Sequence, residues 1–138
     1  RLLRHRDNHL NRKYSVFVGN GGLYVPQELE RGADGIMTGF AFTEMLVNLY
    51  NLFFTNDKQN AEDLFDIYLP LIRHEQQFGI GLGLRKFVLK HRGIIKSSNV
   101  RSPGPVLTED DIKEMYHLLN RLNSKLIEKG LPIPKGIN

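Results

Sequence analysis

The chain has 138 residues, 41% of them hydrophobic and 25% charged, with a formal net charge of +4. That length suits one domain with a real core and is too short for two. It contains no cysteine, so disulfides, thiolate zinc sites and thiol nucleophiles are excluded, and no apolar run approaches the ~18–20 residues that cross a bilayer.

Arg1, Arg4, Arg6, Arg12 and Lys13 face a single acid, Asp7, in "RLLRHRDNHLNRK", and "RKFVLKHR" is a second basic cluster. Neither is interleaved with aromatics as a base-stacking surface would be. The charge is read as solvated helix faces, in preference to a nucleic-acid footprint, and no membrane partner is expected. No signal peptide is visible, so the expected location is the cytoplasm. The chain begins at Arg1 rather than methionine, which leads us to expect a processed chain or a part of something longer.

In chain order, Leu2, Leu3 and the arginines around them read as the end of a helix terminated near Asn8 and Asn11. Tyr14 to Val18 is a strand, apolar enough to suggest burial on both faces as in a parallel sheet. Pro26 suits the first turn of a short helix through Leu29 that closes at Gly32. "DGIMTG", between Gly35 and Gly39, is a second strand, and strand, helix and strand at this spacing form a βαβ unit. "TEMLVNLYNLFF" is a helix apolar on two sides, which must be covered on two sides. "NAEDLFDIYLPLIRHEQQ" carries the stripe Ala61, Leu64, Phe65, Tyr68, Leu71, Ile72, with a kink expected at Pro70.

"GIGLGLRKFVLKHRG" alternates at Ile80, Leu82 and Leu84 like a strand, but a helix from about Leu82 to Gly93 is favoured. Thr108 N-caps a last helix whose stripe is Ile112, Met115, Tyr116, Leu119, Leu122 and Leu126, with acids at 109–111 in its positive first turn and a stop at Gly130. The inventory is two strands and five or six helices. A two-stranded parallel sheet is not stable alone, so the strands need neighbours from elsewhere.

"GNGGLY" misses the dinucleotide fingerprint because Tyr24 stands where a glycine is needed, and "GIGLGL" misses it at Leu84. Spacing alone leaves two readings of "GNGG": a strand end shaped for a carboxylate or phosphate, or a loop needing positive φ. His5 and His9 are four residues apart without a carboxylate partner, so no metal site is expected. "RHEQQ", Arg73 to Gln77, reads as a polar helix face or interface, and no serine occupies a nucleophile elbow.

The runs "VFVGNGGLYVPQELERGADGIMTGFAFTEML", "AEDLFDIYLPLIRHEQQFGIGLGLRKFVLKHRGII" and "VRSPGPVLTEDDI" closely resemble the C-terminal part of the dihydrodipicolinate synthase and N-acetylneuraminate lyase family. The resemblance extends from Arg4 to Leu126. It implies an α/β fold, namely the last two parallel strands of a (β/α)8 TIM barrel followed by a helical C-terminal extension. Residues 1–59 would be the barrel segment, with strands seven and eight, and 60–138 the extension. The family's chemistry is that of class I aldolases, in which a lysine on strand six forms a Schiff base with pyruvate or another 2-oxo acid. A tyrosine on strand five and a threonine pair after strand two assist it.

None of these three elements lies in the matched stretch, so no catalytic residue is expected in this chain. What carries over is a substrate-binding rim: Gly19 at the end of strand seven, Asn20 and Gly21 after it, Met37 beside the imine, then Thr38 and Gly39. Family members often have acids at the positions of Asn20 and Gly21, so the second substrate stays undetermined. The resemblance implies no cofactor. It also implies a homo-oligomer, or association with the missing N-terminal half. A different reading is a non-catalytic helical piece that self-associates through its sheet.

Overall fold

The computed structural model describes residues 14–137. The expected end of a helix at Leu2 and Leu3, the basic segment and the His5–His9 pair lie outside the described residues. Within them run β1 (Phe17–Val18), a single 3-10 turn (Asn20–Gly22), α1 (Val25–Glu30), β2 (Gly35–Ile36), α2 (Thr43–Phe54), α3 (Lys58–His74), α4 (Gly81–His91) and α5 (Glu109–Glu128).

β1 and β2 are parallel, with Phe17 opposite Gly35 and Val18 opposite Ile36. Both are shorter than the sequence suggested. Around these pairs Asp34 N–H donates to Val16 C=O at 2.8 Å and Met37 N–H to Val18 C=O at 2.8 Å. The expected burial on both faces is also corrected: Val18 is buried, but Phe17 is 52% exposed. The physical reason is the same for both. Neither strand has a second neighbour among the described residues, so nothing extends the ladder or covers the outer face.

The helices hold the chain together. α3 is the central one, packing against α2 on one side and α5 on the other. Its stripe buries Ala61, Leu64, Phe65, Tyr68, Leu71 and Ile72, as the 3.6-residue period required. The helix is continuous through Pro70. α2 contributes Met45, Leu46 and Leu49, while its other apolar side does not find the cover expected of it: Val47 is 58% and Phe54 55% exposed. α4 begins one residue before Leu82 and buries Leu84 and Val88. It ends in a left-handed Gly93 (φ +70°), whose N–H and that of Ile94 reach back to Lys90 and Leu89.

α5 opens on a capping box. The Asp111 N–H donates to Thr108 Oγ1 at 3.2 Å and the Thr108 N–H donates to Asp111 Oδ2 at 2.7 Å. Its stripe buries Met115, Leu119, Leu122 and Leu126 and leaves Tyr116 half out, with its ring edge against Phe87 and His91 of α4. One hydrophobic cluster runs from Val18 to Ile137 and so takes in residues on both sides of position 59.

The segment leaving β2 is fastened by aromatic packing and by a buried arginine. The rings of Phe40, Phe42 and Tyr68 sit 5.5–6.4 Å apart, tilted or edge to face. The Arg92 guanidinium lies 4.3 Å from the centre of the Phe42 ring. It donates to the carbonyls of Ala41 and Lys135 and pairs with Glu44. A buried cation satisfied on all sides ties the exit of β2, the start of α2 and the C-terminal tail to one point.

Candidate functional site

Parallel strands send both carboxyl ends the same way, so the two rim segments expected from the sequence emerge side by side. A Cβ built on Gly22 would lie 3.5 Å from Thr38 Cγ2. Asn20, Gly21 and Gly22 all have positive φ (49°, 64° and 87°), which turns the chain sharply after β1. Gly19 and Asn20 are exposed, and Met37 is 72% exposed at the end of β2. Gly39 is likewise exposed, while Thr38 between them is half-buried. The Thr38 Oγ1 is buried with no hydrogen-bond partner among the described residues.

Two of the rim's three glycines, Gly21 and Gly39, are not empty positions, whereas the space at Gly19 is open. A Cβ on Gly21 would fall 1.8 Å from Gln76 Nε2, and one on Gly39 would fall 2.5 Å from Arg85 Nη1. Side chains from the helical region therefore occupy the space that side chains at 21 and 39 would take. This revises the reading of "RHEQQ" as a polar face. Glu75 is 2% exposed, and its Oε2 accepts from Arg85 Nε at 3.1 Å. Gly81 has no room for a side chain because the Glu75 carbonyl lies 2.3 Å from where its Cβ would be. His74 Nε2 is buried without a hydrogen-bond partner among the described residues, while its Nδ1 meets Gln77 Nε2 at 3.1 Å.

Burial pushes the Glu75 carboxyl up to about 7, against the opposing pull of Arg85, the nearby Ala41 N–H and Arg92. Burial also lowers His74. Glu75 is thus a proton-holding group beside the rim, and Arg85 is a cation that it holds in place. Sequence reasoning missed this pair, although the signal was present: Glu75 lies three residues after Ile72 and four after Leu71, on the buried stripe of α3. An acid there must be paired or neutral.

Residues 14–57 contain no lysine, so no amine nucleophile is offered by the strand ends or by α1 and α2. Among the described residues no cluster of His, Cys, Asp or Glu could hold a metal ion, and no helix is long and apolar enough to cross a membrane. A groove of about 900 Å³ between α1 and α3 is lined by Tyr24, Phe65, Arg73 and their neighbours. It lies away from Met37 and Gly39, which do not line it.

No family model matches the chain. It is 28% identical over 105 residues to L-2-keto-3-deoxyarabonate dehydratase of Azospirillum brasilense, a match covering 76% of this chain and 34% of that enzyme. Among solved structures it is similar to dihydrodipicolinate synthase from Rhodopseudomonas palustris, with 46% identity and a TM-score of 0.82. That match covers 87% of this chain and 40% of the solved one, so the chain spans two fifths of the solved relative and a third of the curated one. At 46% identity on a shared fold over 87% of this chain, the resemblance to the dihydrodipicolinate synthase family read from its motifs is borne out.

Proposed function

We propose that the chain forms the second-substrate side of a Schiff-base lyase or aldolase, with the imine-forming lysine supplied from outside its sequence. In this reading β1 and β2 are strands seven and eight of a barrel, and Gly19, Asn20, Gly21, Met37, Thr38 and Gly39 form the rim at their carboxyl ends. Catalytic groups at the carboxyl ends of parallel strands are the rule for such barrels. Family relatives named as a synthase and a dehydratase support lyase chemistry on 2-oxo acids. The observation that carries the reading is the pairing of a glycine-shaped rim with two strand edges that have no partner among the described residues.

The chemistry divides accordingly. A lysine imine with pyruvate withdraws electrons from the adjacent carbon, and the resulting enamine attacks, or is released by, a second carbonyl compound. The residues here would bind and orient that second compound beside Met37. The chain alone should therefore form no adduct: treated with pyruvate and borohydride, its intact mass should not change. A reduced pyruvyl group on any of its lysines would refute the assignment.

A second reading, a self-associating helical module without catalysis, is favoured by the exposed Val47 and Phe54 on α2 and by Phe17 on β1. The two readings part when the lysine-bearing segment is added. A docked barrel half covers β1 and β2 and lowers self-association, whereas a self-associating module keeps its oligomeric state.

A further inference from the structure

We propose that Arg85 and Gln76, from outside the strand ends, determine specificity at this site by binding a carboxylate on the second substrate, at the end away from its reacting carbonyl. The inference rests on the lyase reading above and adds to it the residues and the ligand class. Its basis is the exchange at the two glycines. Gly21 and Gly39 leave room, and the Gln76 amide and the Arg85 guanidinium fill it at 1.8 and 2.5 Å from the missing Cβ positions. The rim thus lacks side chains of its own at 21 and 39, but it is not bare. It carries an amide and a cation delivered by α4 and by the turn after α3.

Arg85 is set up to receive an anion. Its side chain is 23% exposed, and its Nε is fixed by the fully buried carboxylate of Glu75. Among the described residues Nη1 and Nη2 make no hydrogen bond, so the outer edge of the fork is free. A planar fork with one edge anchored and one edge open matches the two oxygens of a carboxylate. Gln76 Nε2 adds a neutral donor beside Gly21. Glu75 acts through Arg85 and is a positioning residue. A small neutral aldehyde would leave these donors unpaired and bind less well.

The test uses succinate as a carboxylate probe, titrated into the isotopically labelled chain. The Arg85 Nε–H and Gln76 amide signals should shift together and saturate in the wild-type protein, and in Arg85→Ala the Gln76 amide response should be lost. Urea melts confirm that the variant is folded, and Arg85→Lys, which keeps the charge without the fork, should weaken binding about tenfold. An unsaturable response, or one unchanged in Arg85→Ala, overturns the proposal.

In the protein that also carries the imine-forming lysine, Arg85→Lys should raise KM for succinic semialdehyde about tenfold and leave KM for butanal unchanged. An equal rise for both aldehydes also overturns it. Pyruvate trapping by borohydride separates the two claims. Its failure sinks the lyase reading while the succinate titration still decides the binding role of Arg85.

Discussion

Replacing Glu75 by glutamine should make this protein more stable above neutral pH. The carboxyl is buried, with one oxygen on Arg85 Nε and the other, Oε1, without a hydrogen bond among the described residues. Its pKa is raised in the fold from 4.5 to about 7. The folded state therefore binds the proton more tightly than the unfolded chain. Between about pH 4.5 and 7 it holds more protons, so stability falls as pH rises across that window and levels off above it. At ~1.4 kcal/mol per pKa unit the full effect is about 3 kcal/mol.

Glutamine resembles the protonated form and cannot ionise. Urea denaturation of both proteins from pH 5 to pH 8 should give similar stability at the acid end. At pH 8 the variant should lead by about 2–3 kcal/mol, which is some 6–10 °C in Tm for a chain of this size. His74 is lowered in the fold and contributes a slope of the opposite sign, stability rising with pH up to about its ordinary value of 6.5. The difference between the two proteins cancels it. A variant less stable than the wild type at pH 8 would refute the reasoning, because it would show that the ionised pair stabilises the fold.

Arg92→Ala should cost about 2–4 kcal/mol, since it strands the buried carbonyl of Ala41, takes a donor from the part-buried carbonyl of Lys135 and unpacks the Phe42 ring. Glu44 is half-exposed and regains water, so the upper end of that range is not exceeded. A loss below ~1 kcal/mol in urea melts would mean that the tail is not tied down through this residue. Thr108→Ala removes the hydroxyl half of the capping box, leaving the backbone N–H at 108 on Asp111, and should cost ~1 kcal/mol, read as an earlier urea midpoint with an unchanged slope. Val47→Glu with Phe54→Glu should shift self-association toward monomer in size-exclusion chromatography without lowering Tm by more than a few degrees, because both side chains are already more than half exposed.

The helical part of the fold was legible because its signals are local. The buried stripe of α3 matches the sequence period residue for residue, and the Thr108 cap and the stop at Gly93 are written in single residues. The strands were legible in place but not in extent. Strand length depends on neighbours, and among the described residues β1 has only β2 beside it, with Val16 joined to Asp34 just before the paired residues. The glycines of the rim could be read as making space, but not what fills it. Gln76 is 55 positions from Gly21 and Arg85 is 46 from Gly39 in the numbering, a separation that no local pattern bridges. Glu75 was the one member within reach of sequence reasoning, because an acid on the apolar stripe of α3 demands a partner.

The central claim is that this chain holds one side of an active site whose nucleophile lies elsewhere. The most direct measurement joins it to the segment expected to carry the imine-forming lysine, traps pyruvate with borohydride and maps the adduct by peptide mass. The account predicts a single reduced pyruvyl group on a lysine outside residues 1–138. An adduct on Lys58, Lys86 or any other lysine of this chain would contradict it.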